Sequence, residues 1–347
     1  MNSSIIRYVL GQVLKIEGIL MLLPCLVALI YQESVGFYYL VTALLCMTLG
    51  FLMTFKKPSD FVFYLKEGCV TTTLSWALMS FFGAIPFWAS GEIPSLTDAL
   101  FETVSGFTTT GASILSDVEA LSHCSLMWRS FTHWIGGMGV LVFLLAVIPM
   151  TGGSHMNLMR AESPGPSVGK LVPKIKSTAR ILYLIYFGLT VIQCILLLCG
   201  GMTLFDSLAT SFGTAGTGGF GIKNDSIGGY SPYIQWVVTI FMILFGVNFN
   251  AYYLILFHQF KKAICMEEVR YYFLVILASI AIICVDIRNY YESFSEVLRH
   301  AAFQVGSLIT TTGFSTTDFN LWPQTSKTIL VLIMFIGACA GAQACMY

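Results

Sequence analysis

Ser105-Gly106-Phe107-Thr108-Thr109-Thr110-Gly111-Ala112-Ser113 is a run of small, hydroxyl and glycine residues set between two strongly apolar segments. The chain repeats it twice. Gly213-Thr214-Ala215-Gly216-Thr217-Gly218-Gly219-Phe220-Gly221 is a second copy, and Ile309-Thr310-Thr311-Thr312-Gly313-Phe314-Ser315 a third. The order around each copy is the same: an apolar helix, a short amphipathic segment, the Thr/Gly run, and another apolar helix. Gly111-Ala112-Ser113, Gly219-Phe220-Gly221 and Gly313-Phe314-Ser315 fall in register. Self-similarity at a fixed period marks a repeated supersecondary unit.

Composition sets the solvent. Of 347 residues, 56% are hydrophobic and 10% charged, with mean hydropathy +0.79. Soluble domains carry about 25% charged residues, so the chain reads as an all-α polytopic membrane protein. The first apolar stretch is long enough to remain as a membrane helix, and no cleavable signal is expected. The formal net charge is zero, which gives no reason to expect nucleic acid as a partner. The ten cysteines form no CxxC pair and lie mostly in apolar runs, where they read as small hydrophobes. The five histidines form no HExxH pattern. An intramembrane hydrolase would need a nucleophile beside a base; His133 shows no such partner in the sequence. The chain therefore does not read as an enzyme, and no covalent cofactor is expected.

A membrane-spanning helix needs about 20 apolar residues. Eight segments qualify, near Val9–Tyr31, Phe37–Phe55, Val70–Trp88, Phe131–Pro149, Ile181–Gly200, Tyr233–Phe257, Tyr271–Ile287 and from Lys327 onward. Three short segments, Pro94–Val104, Leu204–Phe212 and Phe294–Leu308, precede the Thr/Gly runs and read as re-entrant pore half-helices. Residues 1–60 thus carry two amino-terminal helices, and residues 61–155 pore module 1. Residues 156–262 carry a cytoplasmic loop and pore module 2, and residues 263–347 pore module 3, cut short in its last helix. The stretch His155–Thr178, rich in proline and basic residues, reads as an exposed loop.

Charge sets the topology. With a cytoplasmic amino terminus and re-entrant half-helices, thirteen of the 18 basic residues fall on the cytoplasmic side, as the positive-inside rule requires. Eleven acidic residues, among them Glu92, Asp98, Glu102 and Asp318, fall on the external side, a surface that attracts cations.

Non-helical backbone at membrane depth is tolerated only inside protein or along a watery cavity. Three such loops argue for an ion path. A dehydrated monovalent cation takes oxygen ligands, which backbone carbonyls supply. Glycine permits the backbone angles that turn successive carbonyls to one side, and each half-helix aims its negative end at the cation. No carboxylate lies inside a run, whereas Ca²⁺ and Mg²⁺ sites use carboxylate oxygens. The expected K⁺ ligands are Thr109, Thr110, Gly111, Thr217, Gly218, Gly219, Thr311, Thr312 and Gly313. Asp98 and Asp206 read as helix N-caps. Asn248 and Asn250 read as hydrogen-bonding to neighbouring helices. The positive charges of Lys170–Arg180 read as solvated.

On Ser105–Ser113, Trp134-Ile135-Gly136-Gly137-Met138-Gly139, Arg160-Ala161-Glu162, Pro164-Gly165-Pro166, Gly218-Gly219-Phe220 and Phe335–Gly341, the chain resembles the Trk/Ktr/HKT superfamily of potassium transporters. Within it, the bacterial TrkH-type uptake subunits are the most similar. The resemblance implies helix–pore-loop–helix modules like those of potassium channels, four to a pore, with one filter glycine per module. It implies a gate loop at Gly337, Ala338, Cys339, Ala340 and Gly341. It further implies a homodimer in the bacterial inner membrane and a cytosolic nucleotide-binding regulatory subunit. The family's fourth module has no counterpart before Tyr347, so a filter with one wall missing is expected, and a chain that does not conduct by itself. The alternatives are a non-conducting remnant and a Na⁺-permeable relative.

Overall fold

The computed structural model describes residues 3–58, 65–137, 139, 175–339 and 342. Within them the chain is helical. The helices are α1 (Ser3–Leu20), α2 (Leu22–Tyr31), α3 (Gly36–Thr54), α4 (Leu65–Ala89), α5 (Leu96–Phe107), α6 (His123–Gly137) and α7 (Ile175–Cys199). They continue as α8 (Leu204–Ala215), α9 (Pro232–Phe245), α10 (Phe249–Leu256), α11 (Phe260–Ile264), α12 (Glu267–Asp286), α13 (Phe294–Ile309) and α14 (Gln324–Ile336). Two compact units divide within α7, at Tyr183 and Leu184.

Five helical spans among the described residues are long and apolar enough to cross a membrane: Ser3–Tyr31, Gly36–Thr54, Lys66–Ala89, Arg180–Cys199 and Glu267–Asp286. The pair α9 and α10 makes a sixth. Helix α14 is a shorter apolar helix of 13 residues. These fall on seven of the eight segments expected; most of the eighth, Phe131–Pro149, lies outside the described residues. Large apolar side chains such as Leu29, Leu52, Leu184, Leu277 and Val285 face outward along the spans. That arrangement suits hydrocarbon as the outer solvent.

In the first unit α1 and α2 form one span despite a turn at Met21, three residues before Pro24. Leu14, Cys46 and Phe82 pack together where α1, α3 and α4 meet. Trp128 of α6 is fully buried, and its indole N–H donates to the carbonyl of Gly83 at 3.1 Å. The rings of Phe107 and Tyr39 lie edge-on to it, 6.0 and 6.4 Å away. This aromatic knot pins the end of α5 between α4 and α6. Glu33, in the turn before α3, accepts from the backbone N–H groups of His123 and Cys124 at 2.9 Å each. It thereby satisfies the unpaired donors that open α6.

The second unit corrects one expectation. The apolar run Tyr233–Phe257 is two helices, α9 and α10, bent by 91° at Gly246-Val247-Asn248. Local chemistry accounts for the break. Asn248 caps α10, its side-chain oxygen accepting from the Asn250 N–H at 2.9 Å, and its amide donates to Glu268 at 2.9 Å. Gly246 lies against the Tyr272 hydroxyl, so closely that a Cβ there would overlap it. Tyr272 also donates to the carbonyl of Ile243 at 3.0 Å, and Tyr252 to that of Leu244 at 2.6 Å. The last carbonyls of α9 are thus satisfied by side chains.

Other boundaries moved outward. Helix α6 begins at His123 rather than near Phe131, because Glu33 supplies the cap that its own sequence lacks. Residues 175–178 of the expected polar loop belong to α7; residues 155–174 lie outside the described residues, as do 138 and 140–149 of the expected helix Phe131–Pro149.

Candidate functional site

Each half-helix starts alike. Ser95 caps α5 and accepts from the Asp98 N–H; Thr203 caps α8 and accepts from the Asp206 N–H. Ser293 caps α13, accepting from the Ser295 N–H. The caps are therefore the hydroxyls, and Asp98 and Asp206 stand three residues further on, against expectation. All three starts read Ser/Thr-x-x-Asp/Glu: Ser95–Asp98, Thr203–Asp206 and Ser293–Glu296. This helix-start pattern was available in the sequence. Asp206 also accepts from the Tyr230 hydroxyl at 3.0 Å.

Each half-helix also ends alike. The N–H groups of Thr110, Gly218 and Thr312 reach back to the carbonyls of Ser105, Gly213 and Ser307 at 2.9, 3.1 and 2.8 Å. Those of Thr109, Thr217 and Thr311 reach Gly106, Thr214 and Leu308 at 3.1, 3.0 and 3.2 Å. This double bond pattern is the Schellman cap, whose turning residue is left-handed and usually glycine. Here the turning residues are threonines, with φ 54, 52 and 56° at Thr109, Thr217 and Thr311. Left-handed backbone at such a residue costs about 1–3 kcal/mol. Two residues later the sign is positive again, with φ 74, 75 and 85° at Gly111, Gly219 and Gly313.

The alternation leaves oxygen atoms unused. Among the described residues, no hydrogen bond is made to the backbone carbonyls of Thr109, Thr110, Gly111, Thr217, Gly218, Gly219, Thr311, Thr312 or Gly313. The nine positions expected as cation ligands each keep an available backbone oxygen. Threonine hydroxyls behave differently. Those of Thr108 and Thr310 bond their own helices and pair with Thr110 and Thr312 at 2.8 and 2.7 Å. In the second loop Gly216 and Gly218 hold these places, so the pair is missing there.

What braces the loops differs between modules. In the first, Arg129 of α6 forms a buried ion pair with Glu102 of α5 at 2.7 Å, and Glu102 accepts from Ser113 and Ile114. Gly136 lies so close to the Phe107 carbonyl that a Cβ would overlap it. In the second unit the two loops brace each other. The Ile227 N–H donates to the Ser315 carbonyl at 3.0 Å, and the Ser315 N–H to the Ser226 hydroxyl at 3.2 Å. Gln235 donates to the carbonyls of Ile227, Gly228 and Tyr230. Ser307 donates to the Phe314 carbonyl at 2.6 Å. A Cβ on Gly219 would overlap the Thr312 carbonyl oxygen. None of these braces was legible as such in the sequence.

Helix α14 ends at Ile336, where Gly337 turns with φ 68°. Beyond it Ala338 and Cys339 fold back, and the Cys339 N–H donates to the Gly246 carbonyl at 3.2 Å. Ala340 and Gly341 of the expected gate lie outside the described residues. A cavity of about 190 Å³ opens here, lined by residues that include Ile309, Tyr272, Ile336 and Cys339.

Repeated modules of helix, capped half-helix, oxygen-bearing loop and helix, built into apolar spans, define an integral membrane protein of the pore-loop transporter class. The comparisons give the family. The profile of the TrkH family, described as a cation transport protein, matches residues 37–345. The Trk system potassium uptake protein TrkH of Salmonella typhimurium is 35% identical over 350 residues, covering 99% of this chain and 72% of that protein. TrkG of Escherichia coli K12, also a Trk system potassium uptake protein, is 33% identical with the same coverage. The crystal structure of the potassium transporter TrkH from Vibrio parahaemolyticus superposes with a TM-score of 0.85 at 29% identity, covering 99% of this chain and 72% of that one. The chain belongs to the TrkH family. That family is one of transporters and not of enzymes.

Proposed function

We propose that this protein takes up potassium across the bacterial cytoplasmic membrane, with the carbonyls of Thr109–Gly111, Thr217–Gly219 and Thr311–Gly313 as ligands for the dehydrated ion. The observation that carries the reading is the set of nine backbone oxygens that no donor among the described residues reaches, in three loops with the same alternation of φ. A carbonyl ring substitutes for the hydration shell of a monovalent cation. The half-helix behind each loop adds a negative dipole end. Relatives named for potassium uptake support K⁺ as the ion.

In this reading the amino terminus is cytoplasmic, as the bias of thirteen basic residues to that side requires. The segment Gly337–Gly341 is the gate. A second copy of the chain and a cytosolic nucleotide-binding regulatory subunit are its partners.

Rubidium uptake in cells lacking their own potassium uptake tests the reading, with Gly313→Ser as the probe. A Cβ at Gly313 meets nothing within 4 Å, so the variant folds with only the backbone strain added. Uptake by the wild type would overturn the expectation that the chain does not conduct by itself, and a shift in K⁺ over Na⁺ preference in the variant is expected. Unchanged preference refutes the ligand assignment.

A further inference from the structure

Behind the first Thr/Gly loop lies a charged pair that the reading above leaves without a task. Glu102 and Arg129 are both buried, at 0 and 2% side-chain exposure. The Arg129 guanidinium donates through Nε and Nη2 to one oxygen of Glu102, at 2.8 and 2.7 Å. The other Glu102 oxygen accepts from the Ile114 N–H at 3.1 Å. Ser113 bridges the pair: its hydroxyl bonds Glu102 at 2.9 and 3.1 Å and accepts from Arg129 at 3.3 Å. Ser113 and Ile114 immediately follow Gly111 and Ala112 and are themselves exposed. The pair therefore holds an exposed length of backbone from behind, through a rigid two-sided fork.

A burial argument alone does not explain it. An ion pair of this depth is weak evidence for stability, since desolvation offsets attraction. The positions nine residues before Gly219 and Gly313 manage without charge, as Thr210 and Gln304. Gln304 holds its loop through one bond, to the Thr317 carbonyl at 3.3 Å. The second and third loops also brace each other, as described, and the first has its own clamp. We propose that Glu102 and Arg129 are positioning residues that fix the spacing of the Thr109–Gly111 carbonyls and so set the discrimination of K⁺ from Na⁺ at that loop. This rests on the reading of the loops as cation ligands.

The test uses the full chain, purified in nanodiscs, with its thermal midpoint titrated with KCl, NaCl and choline chloride. In the wild type, K⁺ is expected to raise the midpoint at concentrations at least tenfold below those Na⁺ needs. Arg129→Lys keeps the charge and loses the fork; Glu102→Gln copies the third module. In both, the K⁺ over Na⁺ ratio is expected to fall about tenfold. Ser113→Ala leaves the ion pair and the Ile114 bond in place and removes the hydroxyl's bonds to Glu102 and Arg129, and a fall of about threefold is expected. That exposed variant decides the matter even when the buried substitutions do not fold. Ser326→Ala removes a 2.6 Å bond to Asp286 and lowers the midpoint in every salt with the ratio unchanged. A folded Ser113→Ala with the wild-type ratio overturns the clamp and leaves potassium uptake standing. No K⁺-specific shift in the wild type overturns both.

Discussion

The Cys339 amide donates to the Gly246 carbonyl at 3.2 Å, which ties the segment after α14 to the break between α9 and α10. A break in one module's inner helix thus serves as the berth for the loop of the next. Gly246 is held there by contact: a Cβ would overlap the Tyr272 hydroxyl and stand 2.7 Å from the Thr310 methyl. Gly246→Ala is expected to destabilise the protein by about 1–3 kcal/mol, the usual cost of overpacking. Tyr272→Phe removes the obstacle and is expected to recover part of that loss. Thermal melts of the two single variants and the double measure the coupling, and strict additivity would count against a contact between them.

Asn248 makes the break a programmed one. Its side chain caps α10 and bonds Glu268. Asn248→Ala is expected to cost about 1–2 kcal/mol, from the lost cap and the lost bond to Glu268. Asn248→Asp keeps the cap and places a second carboxylate against Glu268, and its loss is expected to shrink as pH falls. The dependence of both melts on pH separates the two contributions.

Two glycines of the same register answer differently to one added carbon. At Gly219 the Cβ would run into the carbonyl oxygen of Thr312, which is backbone and cannot swing away. Gly219→Ala is expected to cost at least about 3 kcal/mol, combining overlap with left-handed strain. Gly313→Ala meets open space and is expected to cost about 1–2 kcal/mol, the left-handed penalty alone. Equal losses in chemical unfolding would contradict the close approach of the two loops.

Thr311 is exposed and left-handed. Thr311→Gly removes a penalty of about 1–2 kcal/mol and adds back about 0.5–1 kcal/mol of chain entropy. A small net gain in the thermal midpoint is expected. Thr311→Val keeps the branched carbon without the hydroxyl and is expected to show no gain.

Glu33 gives the turn between α2 and α3 a pH limit. Burial raises its pKa, but the hydrogen bonds from the Cys124 N–H, the His123 ring and the His123 N–H outweigh burial and hold it below the usual carboxylate range. A depressed folded pKa contributes stability above the unfolded value, near 4.3, and loses it as pH falls through the folded value. The midpoint difference between wild type and Glu33→Gln is therefore expected to be constant at neutral pH and to close in acid. A difference that widens on acidification would refute the cap.

Much of this was legible in the residues. Apolar length and the three Thr/Gly runs fixed the helix order and the half-helices, since hydrocarbon permits few other structures. The register of Gly111, Gly219 and Gly313 was visible because identical backbone demands identical glycines. The bend at Gly246 was hidden, since hydropathy is blind to a change of direction inside an apolar run. Its signal was Asn248, a capping residue in a place where no cap seemed needed. The start of α6 was hidden for a different reason: its cap, Glu33, lies 90 residues earlier. Glu102 looked like one more external acid because its partner Arg129 belongs to another helix. Long-range pairing of single residues leaves no periodicity to read.

Helices α5 and α8 have 12 residues and α13 has 16, yet all three deliver the same loop. Four extra residues turn a helix by about 400°, within about 40° of a whole revolution. The longer half-helix thus presents the same face to its neighbours and only starts further out. A single inserted residue would instead rotate the loop by about 100° and aim its oxygens elsewhere. Length variation in these half-helices is quantised by the helical turn, so insertions of three or four residues are absorbed where shorter ones are not.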